Sequence, residues 1–418
     1  MRLVVIGGVA AGLSAAARAK RLDPSLDVLV LEKGDHISLG ACGLPYLLEG
    51  QVRHAGQLFA YTPESFRAAK NVSVRTRAEA AAIAHSRREI TLATGERVPY
   101  DKLVIATGAR ARAPQGCLAL HSLADAERLA ALLRDTPPAR ATVIGAGYIG
   151  LELAGALRAR GWRVTLADSS ANLLHRDDAE LTAILRRHLD RHGVRLLLDH
   201  SGPPTEGELV IHATGLAPNT TLAENAGIEL GPTGAIRVSE HLETNLASVF
   251  AAGDCAETRH RVTGSPVWLP LGTTANKMGR VAGANAAGRR ERFSGITGTS
   301  IVRVCGLGVA LTGLSRSQAQ QAGFRPVSVR IQSRDRATYF RGRPVQVELT
   351  ADRSTGRLLG ASVLGEYGVE GRINVLATAL QARMTAADLL ELDLAYAPPY
   401  APVMDAILIA AQQLSKEL

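Results

Sequence analysis

One structural unit is written twice in this chain. Leu3–Ile6 is an apolar run, Gly7-Gly8-Val9-Ala10-Ala11-Gly12 is a tight turn, and an alanine-rich helix follows to about Arg21. A second apolar run, Asp27–Leu31, then ends in Glu32. From Ala141 the order returns. Ala141–Ile144 is a strand, Gly145-Ala146-Gly147-Tyr148-Ile149-Gly150 a turn, and a helix runs to about Arg160. The strand Arg163–Ala167 then ends in Asp168. A strand that turns sharply into a helix and comes back as a second strand is the opening of a dinucleotide fold. The repeat predicts an α/β protein with two Rossmann-like units, and 418 residues suffice for two or three domains with separate cores.

The second turn carries the full fingerprint. Gly145 permits the sharp turn, Gly147 lets backbone approach a pyrophosphate, and Gly150 lets helix and strand pack closely. The helix N-terminus then offers its N–H groups to phosphate oxygens. Asp168, about 20 residues on, is placed to accept from a ribose 2′-hydroxyl and would repel a 2′-phosphate, which favours NADH over NADPH. The first turn has Val9 where the second glycine is expected, but Gly7, Gly12 and the terminal acid Glu32 remain.

Three more segments extend the pattern. Leu103–Ile105 leads through Ala106 into Thr107-Gly108, and Leu209–His212 leads through Ala213 into Thr214-Gly215. A strand read over Thr244–Val249 leads through Phe250–Ala252 into Gly253-Asp254, which presents a carboxylate to a sugar-like hydroxyl. Short alternating apolar segments over residues 70–107 predict a small β layer, and Asp199–Gly207 reads as a loop. From residue 298 the style changes. Ser300–Val304, Val327–Gln332 and Val345–Thr350 alternate with period two, and helical spacing follows at Val369–Arg383 and near the C-terminus, which predicts an α+β domain.

Composition narrows the function. No apolar run reaches the length of a membrane span. The net charge of +9 is mostly arginine, with 4% aromatics and no basic run interleaved with rings, so nucleic acid is not an expected partner. The four cysteines, Cys42, Cys117, Cys255 and Cys305, lie far apart and form neither a CxxC pair nor a metal pattern. They fit a reducing cytoplasm, with no metal site. Cys42 stands in Ser38-Leu39-Gly40-Ala41-Cys42-Gly43-Leu44-Pro45-Tyr46 with no second cysteine nearby. If it does redox chemistry, its partner is its own oxidised sulfur, oxygen or a thiol brought from outside, and attack on a disulfide needs a thiolate with a lowered pKa.

Together these motifs resemble the two-dinucleotide flavoprotein disulfide reductases, over essentially the whole chain. The single cysteine is similar to a branch holding CoA-disulfide reductases, persulfide reductases, NADH peroxidases and NADH oxidases. The resemblance implies FAD on Gly7, Gly12, Glu32, Lys33, Thr107, Gly108, Gly253, Asp254, Thr273 and Ala275. The segment Leu271–Lys277 resembles a helix start facing the flavin ring. It implies NADH, with NADPH left open, on Gly145, Gly147, Tyr148, Gly150, Asp168 and Gly215, the Tyr148 ring gating the nicotinamide site. The implied domains are residues 1–113 with 241–297 for FAD, 114–240 for NAD(P)H, and 298–418 for dimerisation.

Members that handle peroxide carry a histidine in the first turn, where this chain has Ala10. Tyr396-Ala397-Pro398-Pro399-Tyr400 and Tyr339-Phe340-Arg341-Gly342 resemble the tyrosine motifs with which CoA-disulfide reductases reach the partner subunit's active site. Arg18 and Arg21, three apart on one helix face, are implied to meet CoA phosphates, and Ser38 the pantetheine. Leu39 and Ala41 depart from the usual Phe and Asn. The expectation is a cytoplasmic homodimer that reduces CoA disulfide through a Cys42–CoA mixed disulfide, with Tyr339 and Tyr396 assisting. An NADH oxidase or a CoA-persulfide or polysulfide reductase on the same scaffold is the alternative. An electron-transfer reductase serving a protein partner is an alternative of another class.

Overall fold

The computed structural model describes residues 1–200 and 209–418. The loop expected over 199–207 lies, from residue 201 onward, outside the described residues.

The first unit opens with β1 (Arg2–Ile6), α1 (Ala10–Leu22) and β2 (Asp27–Leu31). β1 is the centre of a five-stranded parallel sheet. β2 and Ser73–Arg75 lie on one side, Lys102–Ile105 and Val249–Ala251 on the other. Leu3, Val4 and Val5 are fully buried, as expected of a strand covered on both faces. The small layer expected within residues 70–107 is a three-stranded antiparallel sheet, Ala80–Ala84, Glu89–Leu92 and Arg97–Pro99, whose Ile83, Ile90 and Val98 join the same core. The strand expected over Thr244–Val249 forms only at Val249–Ala251. There the chain enters the sheet beside Lys102–Ile105, and Thr244 spends its hydroxyl on Val249 O at 3.0 Å.

The second unit repeats the first with β3 (Arg140–Ile144), α2 (Tyr148–Ala159) and β4 (Arg163–Ala167). β3 is again the centre of a five-stranded parallel sheet, between β4 with Val194–Leu197 and Leu209–His212 with Leu118–Ala119. An antiparallel ribbon, Ala109–Ala111 against Leu216–Pro218, joins the two units directly after their Thr-Gly turns. The helix α3 (Gly272–Ala286) returns to the first unit and packs on α1.

The C-terminal unit is a five-stranded antiparallel sheet of β5 (Ser300–Val304), β6 (Leu307–Gly313), β7 (Pro326–Arg334), β8 (Pro344–Asp352) and β9 (Leu358–Gly365), in the order β5-β6-β9-β8-β7. The helices α4 (Val369–Gln381) and α5 (Ala406–Glu417) bury Ile373, Leu376, Ile407 and Leu414 in its core. Its β5–β6 hairpin does not stand alone. Val302, Val304, Val309 and Leu311 share one apolar cluster with Leu151 and Leu157 of α2, and with Leu44 and Leu48 just past Cys42. That shared cluster holds the cysteine segment between the units.

Candidate active site

The two dinucleotide turns are built alike. Gly7 and Gly145 have φ of +111° and +106°, and a Cβ on either would stand about 2 Å from a carbonyl oxygen, Ala106 O (2.1 Å) or Ala213 O (2.2 Å). A Cβ on Gly12 or Gly150 would lie 1.9 or 1.8 Å from the carbonyl oxygen of Gly7 or Gly145. Only glycine lets strand and helix meet this closely. The acids correspond too. Glu32 accepts from Gly8 N and Gly34 N, both at 2.7 Å. Asp168 accepts from Ala146 N at 2.6 Å and Ser170 N at 2.8 Å. Each carboxylate is thus fixed at the mouth of its turn, where a ribose would lie. Val9 stands exposed where the second glycine is missing.

Other expected cofactor residues gather around the first turn. Gly253, at φ +83°, sits so close that its Cβ would lie 2.7 Å from Ala11 Cβ and 3.5 Å from Ala275 Cβ. α1 and α3 therefore start at the same place, and their N-termini, Thr273 included, point their partial positive charge toward one region. Asp254 follows directly. Burial pushes its carboxyl above the usual range, and the nearby His121 opposes this. Thr107 and Gly108 face the ribbon: Thr107 Oγ1 donates to Asn219 O at 2.7 Å, and Gly108 O accepts from Asn219 N at 2.9 Å. Gly215 O accepts from Arg112 N at 2.9 Å on the matching side. Lys33 is exposed beyond Glu32.

Cys42 lies in the single helical turn Ala41–Gly43, which runs into the short helix Leu44–Glu49. Leu44 and Leu48, four apart, anchor that helix in the second unit's core. The residue is exposed, yet the protein crowded around the sulfur makes burial the largest influence on it. Burial, then the charges of Glu152 and Asp254, pushes the thiol pKa up, and a backbone N–H only partly offsets this. The lowered pKa expected from the sequence is therefore not supplied by the chain's own side chains, because the titratable neighbours are acids.

Glu152 was not visible as a site residue in the sequence. It lies on α2, two residues past the last fingerprint glycine, and accepts from Tyr46 Oη at 2.9 Å. Burial raises its own pKa. The Tyr46 bond and a bond from the Arg303 backbone lower it less. The Tyr46 phenol is pushed up to about 12, by burial first and the Glu152 charge second. Arg303 of β5 lies 5.3 Å from the Tyr46 ring centroid and pairs with Glu49. Ser300, on the same strand, bonds the Tyr148 hydroxyl at 2.7 Å. One strand of the C-terminal unit thus braces the expected gate and the cysteine helix together.

A pH experiment follows from this arrangement. A raised thiol pKa means that Cys42 in cofactor-free protein is protonated near neutrality. Its labelling by iodoacetamide, followed by peptide mass spectrometry, is expected to be slow at about pH 7 and to climb roughly tenfold per pH unit as the thiolate fraction grows. Glu152→Gln removes one of the charges that raise it and is expected to move the rising limb to lower pH. Fast labelling at pH 7 that ignores Glu152→Gln would contradict the assignment.

The remaining expected residues are less uniformly placed. Arg18 pairs with Glu291 at 2.6 Å, whereas Arg21 is exposed. Ser38, at φ +57°, donates to Tyr61 O at 2.9 Å and accepts from Tyr61 N at 2.7 Å, so its hydroxyl is already committed. Tyr339 and Tyr396 are 72% and 49% exposed on the C-terminal unit, with Phe340, Tyr367 and Tyr400 also exposed. Among the described residues no helix is long and apolar enough to cross a membrane.

Comparison with known proteins gives a consistent result. Residues 1–288 match the family described as pyridine nucleotide-disulphide oxidoreductase, and residues 299–407 match its dimerisation domain. A relative from Pyrococcus horikoshii, an NAD(P)H coenzyme A polysulfide/persulfide reductase, is 36% identical, the match covering 99% of this chain and 98% of that one. A coenzyme A disulfide reductase from Staphylococcus aureus is 29% identical, covering 97% and 98%. The solved NAD-dependent persulfide reductase from A. fulgidus superposes with a TM-score of 0.96 at 36% identity, over 100% of this chain and 83% of that one.

Proposed function

The chain belongs to the pyridine nucleotide-disulphide oxidoreductases, and from that premise we propose that it is an NAD(P)H-dependent flavoprotein that reduces the sulfur–sulfur bond of CoA disulfide through Cys42. One observation carries this reading: an unpaired, exposed cysteine on a helix anchored in the second dinucleotide unit, close enough to Asp254 of the first to feel its charge.

The first unit fits FAD. Its strand, turn and helix meet closely only because Gly7, Gly12 and Gly253 carry no side chain, and Glu32 and Asp254 stand where hydroxyl groups would be held. The second unit fits NADH, with Asp168 at the ribose and no basic residue in the adjacent Ser169-Ser170-Ala171 to receive a 2′-phosphate. The chemistry FAD supplies when bound is the passage of an electron pair from the nicotinamide to sulfur.

The chain's residues do the rest. Cys42 sulfur attacks one sulfur of CoA disulfide, forming a Cys42–CoA mixed disulfide and releasing one CoA thiolate. Two electrons then break the mixed disulfide, giving the Cys42 thiolate and the second CoA thiolate. The balance is NADH, a proton and CoA disulfide going to NAD⁺ and two CoA thiols. Tyr339 and Tyr396 of a second copy serve as hydroxyl donors to the departing thiolate. Their exposure, with that of the neighbouring rings, suits a surface covered by a partner subunit. Arg21 offers a charge to CoA phosphates. Arg18 would do so only by exchanging Glu291, and Ser38 would meet the pantetheine only by exchanging Tyr61. Four free cysteines suit a reducing cytoplasm, and no nucleic-acid partner is invoked.

A second reading, reduction of CoA persulfide, is favoured by the higher identity to the persulfide reductase, 36% against 29%. Ala10 in the first turn leaves peroxide or oxygen chemistry without a polar neighbour there. The test is mass spectrometry of the intact purified enzyme, with an adduct of CoA mass on Cys42 expected and lost on reduction. NADH oxidation is then compared with CoA disulfide, CoA persulfide and oxygen as acceptors. No adduct and no turnover of either CoA compound would reject the proposal.

A further inference from the structure

The two tyrosine-bearing segments are far apart in sequence but tied together in space. Tyr339 lies in the turn after β7, which leaves the sheet at Asp335. Tyr396 lies on the irregular stretch that enters α5 at Asp405. Between them sits Arg372 of α4, 6% exposed. Its Nε donates to Asp405 Oδ1 at 3.0 Å, and its Nη2 to Asp405 Oδ2 at 2.7 Å. Nη2 also donates to Asp335 O at 2.9 Å, and Nη1 to Gly368 O at 3.0 Å.

One guanidinium therefore holds the base of both segments. The supporting bonds point the same way. Asp405 Oδ1 also accepts from Ile407 N at 3.0 Å, capping α5. Asp335 accepts from Arg343 N and forms an ion pair with Arg336 at 3.3 Å, closing the Tyr339 turn on itself. Higher up, Ala337 N donates to Pro398 O at 3.4 Å, a direct bond between the two segments. Gly368 is pressed so near that a Cβ on it would meet Arg372 Nη1 at 2.4 Å. A planar fork that satisfies a carboxylate with two bonds and two carbonyls with the rest fixes distance and angle together, which an ammonium does not.

We propose that Arg372 is a positioning residue for disulfide reduction, setting the spacing between the Tyr339 and Tyr396 hydroxyls that a partner subunit's active site receives. The inference rests on the role proposed above for those tyrosines. It assigns Arg372 no contact with substrate and no part in electron transfer from NADH.

Arg372→Lys in the full-length enzyme tests it, with NADH-dependent CoA-disulfide reduction measured beside NADH-dependent ferricyanide reduction, which needs no thiol step. Displacing hydroxyls by an ångström or so is expected to lower kcat for CoA disulfide roughly tenfold to a hundredfold. The KM for NADH, ferricyanide turnover, flavin content and dimer mass should hold steady. A merely structural role would lower both activities together as folded enzyme is lost, and that result overturns the proposal. The double variant R372M/D405L removes both charges at once and so avoids leaving one buried and unpaired. It is expected to fold with flavin bound and still reduce CoA disulfide poorly, and wild-type disulfide turnover in either variant overturns the proposal. Tyr339→Phe and Tyr396→Phe are run in parallel. If those keep full turnover, the reading of the tyrosines fails. If they lose it while Arg372→Lys does not, only the positioning role fails.

Discussion

Cys42→Ser is expected to lower NADH-dependent CoA-disulfide reduction by roughly a thousandfold or more, because a hydroxyl at that position neither ionises near neutrality nor forms the mixed disulfide. NADH-dependent ferricyanide reduction should stay within about twofold, since that route needs the flavin alone. The split matters more than the loss. Cys42 sits just before a helix whose Leu44 and Leu48 are 1% exposed and carry its packing, so swapping sulfur for oxygen leaves that packing intact. Of the other cysteines, Cys117 is exposed, Cys255 is buried and Cys305 half-buried with burial pushing both thiols up, and none is near Cys42 in sequence to replace it. The serine variant should also carry no CoA adduct. Full turnover of the variant with a protein acceptor would instead support an electron-transfer reductase, in which the cysteine is dispensable.

Much of the fold was legible because glycine and carboxylate recur at fixed offsets. Gly7 with Glu32 and Gly145 with Asp168 demand the same strand–turn–helix–strand geometry, and the structure repeats even their hydrogen bonds. The edges were harder. The central strands β6 and β9 were not anticipated, since β9 is buried along its length and shows no alternation. The strand before Gly253 proved short because its start is a local turn around Thr244.

The site was legible only where a motif fixes it locally. Glu152, Arg303, Ser300 and Arg372 act through partners far away in sequence, so no local pattern announces them. The same distance explains Arg18 and Ser38. Their helix and loop positions suit an anion or a pantetheine, but Glu291 and Tyr61, invisible from the local sequence, already occupy them. The charged neighbours of Cys42 were hidden for a related reason. The acids that raise its pKa come from α2 and from the end of the strand at Val249–Ala251, each far from residue 42.

The other large effect concerns a seam rather than the reacting atoms. α1 and α3 touch through glycine. A Cβ on Gly279 would stand 2.1 Å from Ala11 O and one on Gly283 2.1 Å from Ala15 O, both backbone atoms that cannot swing aside. Helix propensity alone favours Gly→Ala in a helix interior by about 1 kcal/mol. Here the methyl groups would force the helices apart, and overpacking of that kind costs about 1–3 kcal/mol per site, more where backbone must move. The clash therefore wins, and Gly279→Ala with Gly283→Ala is expected to destabilise the protein by a few kcal/mol. The consequence reaches the cofactor, because the same helix pair sets where α3 begins and how closely Gly253 lies against Ala11. Flavin absorbance per protein should fall severalfold, with a lower thermal midpoint in the cofactor-free protein. Gly371→Ala is the control: it lies exposed within α4 with nothing near its missing Cβ, so propensity acts unopposed and the midpoint should rise slightly. A seam variant that behaves like the control would show that the helices have room to spare, and that flavin retention does not depend on their closeness.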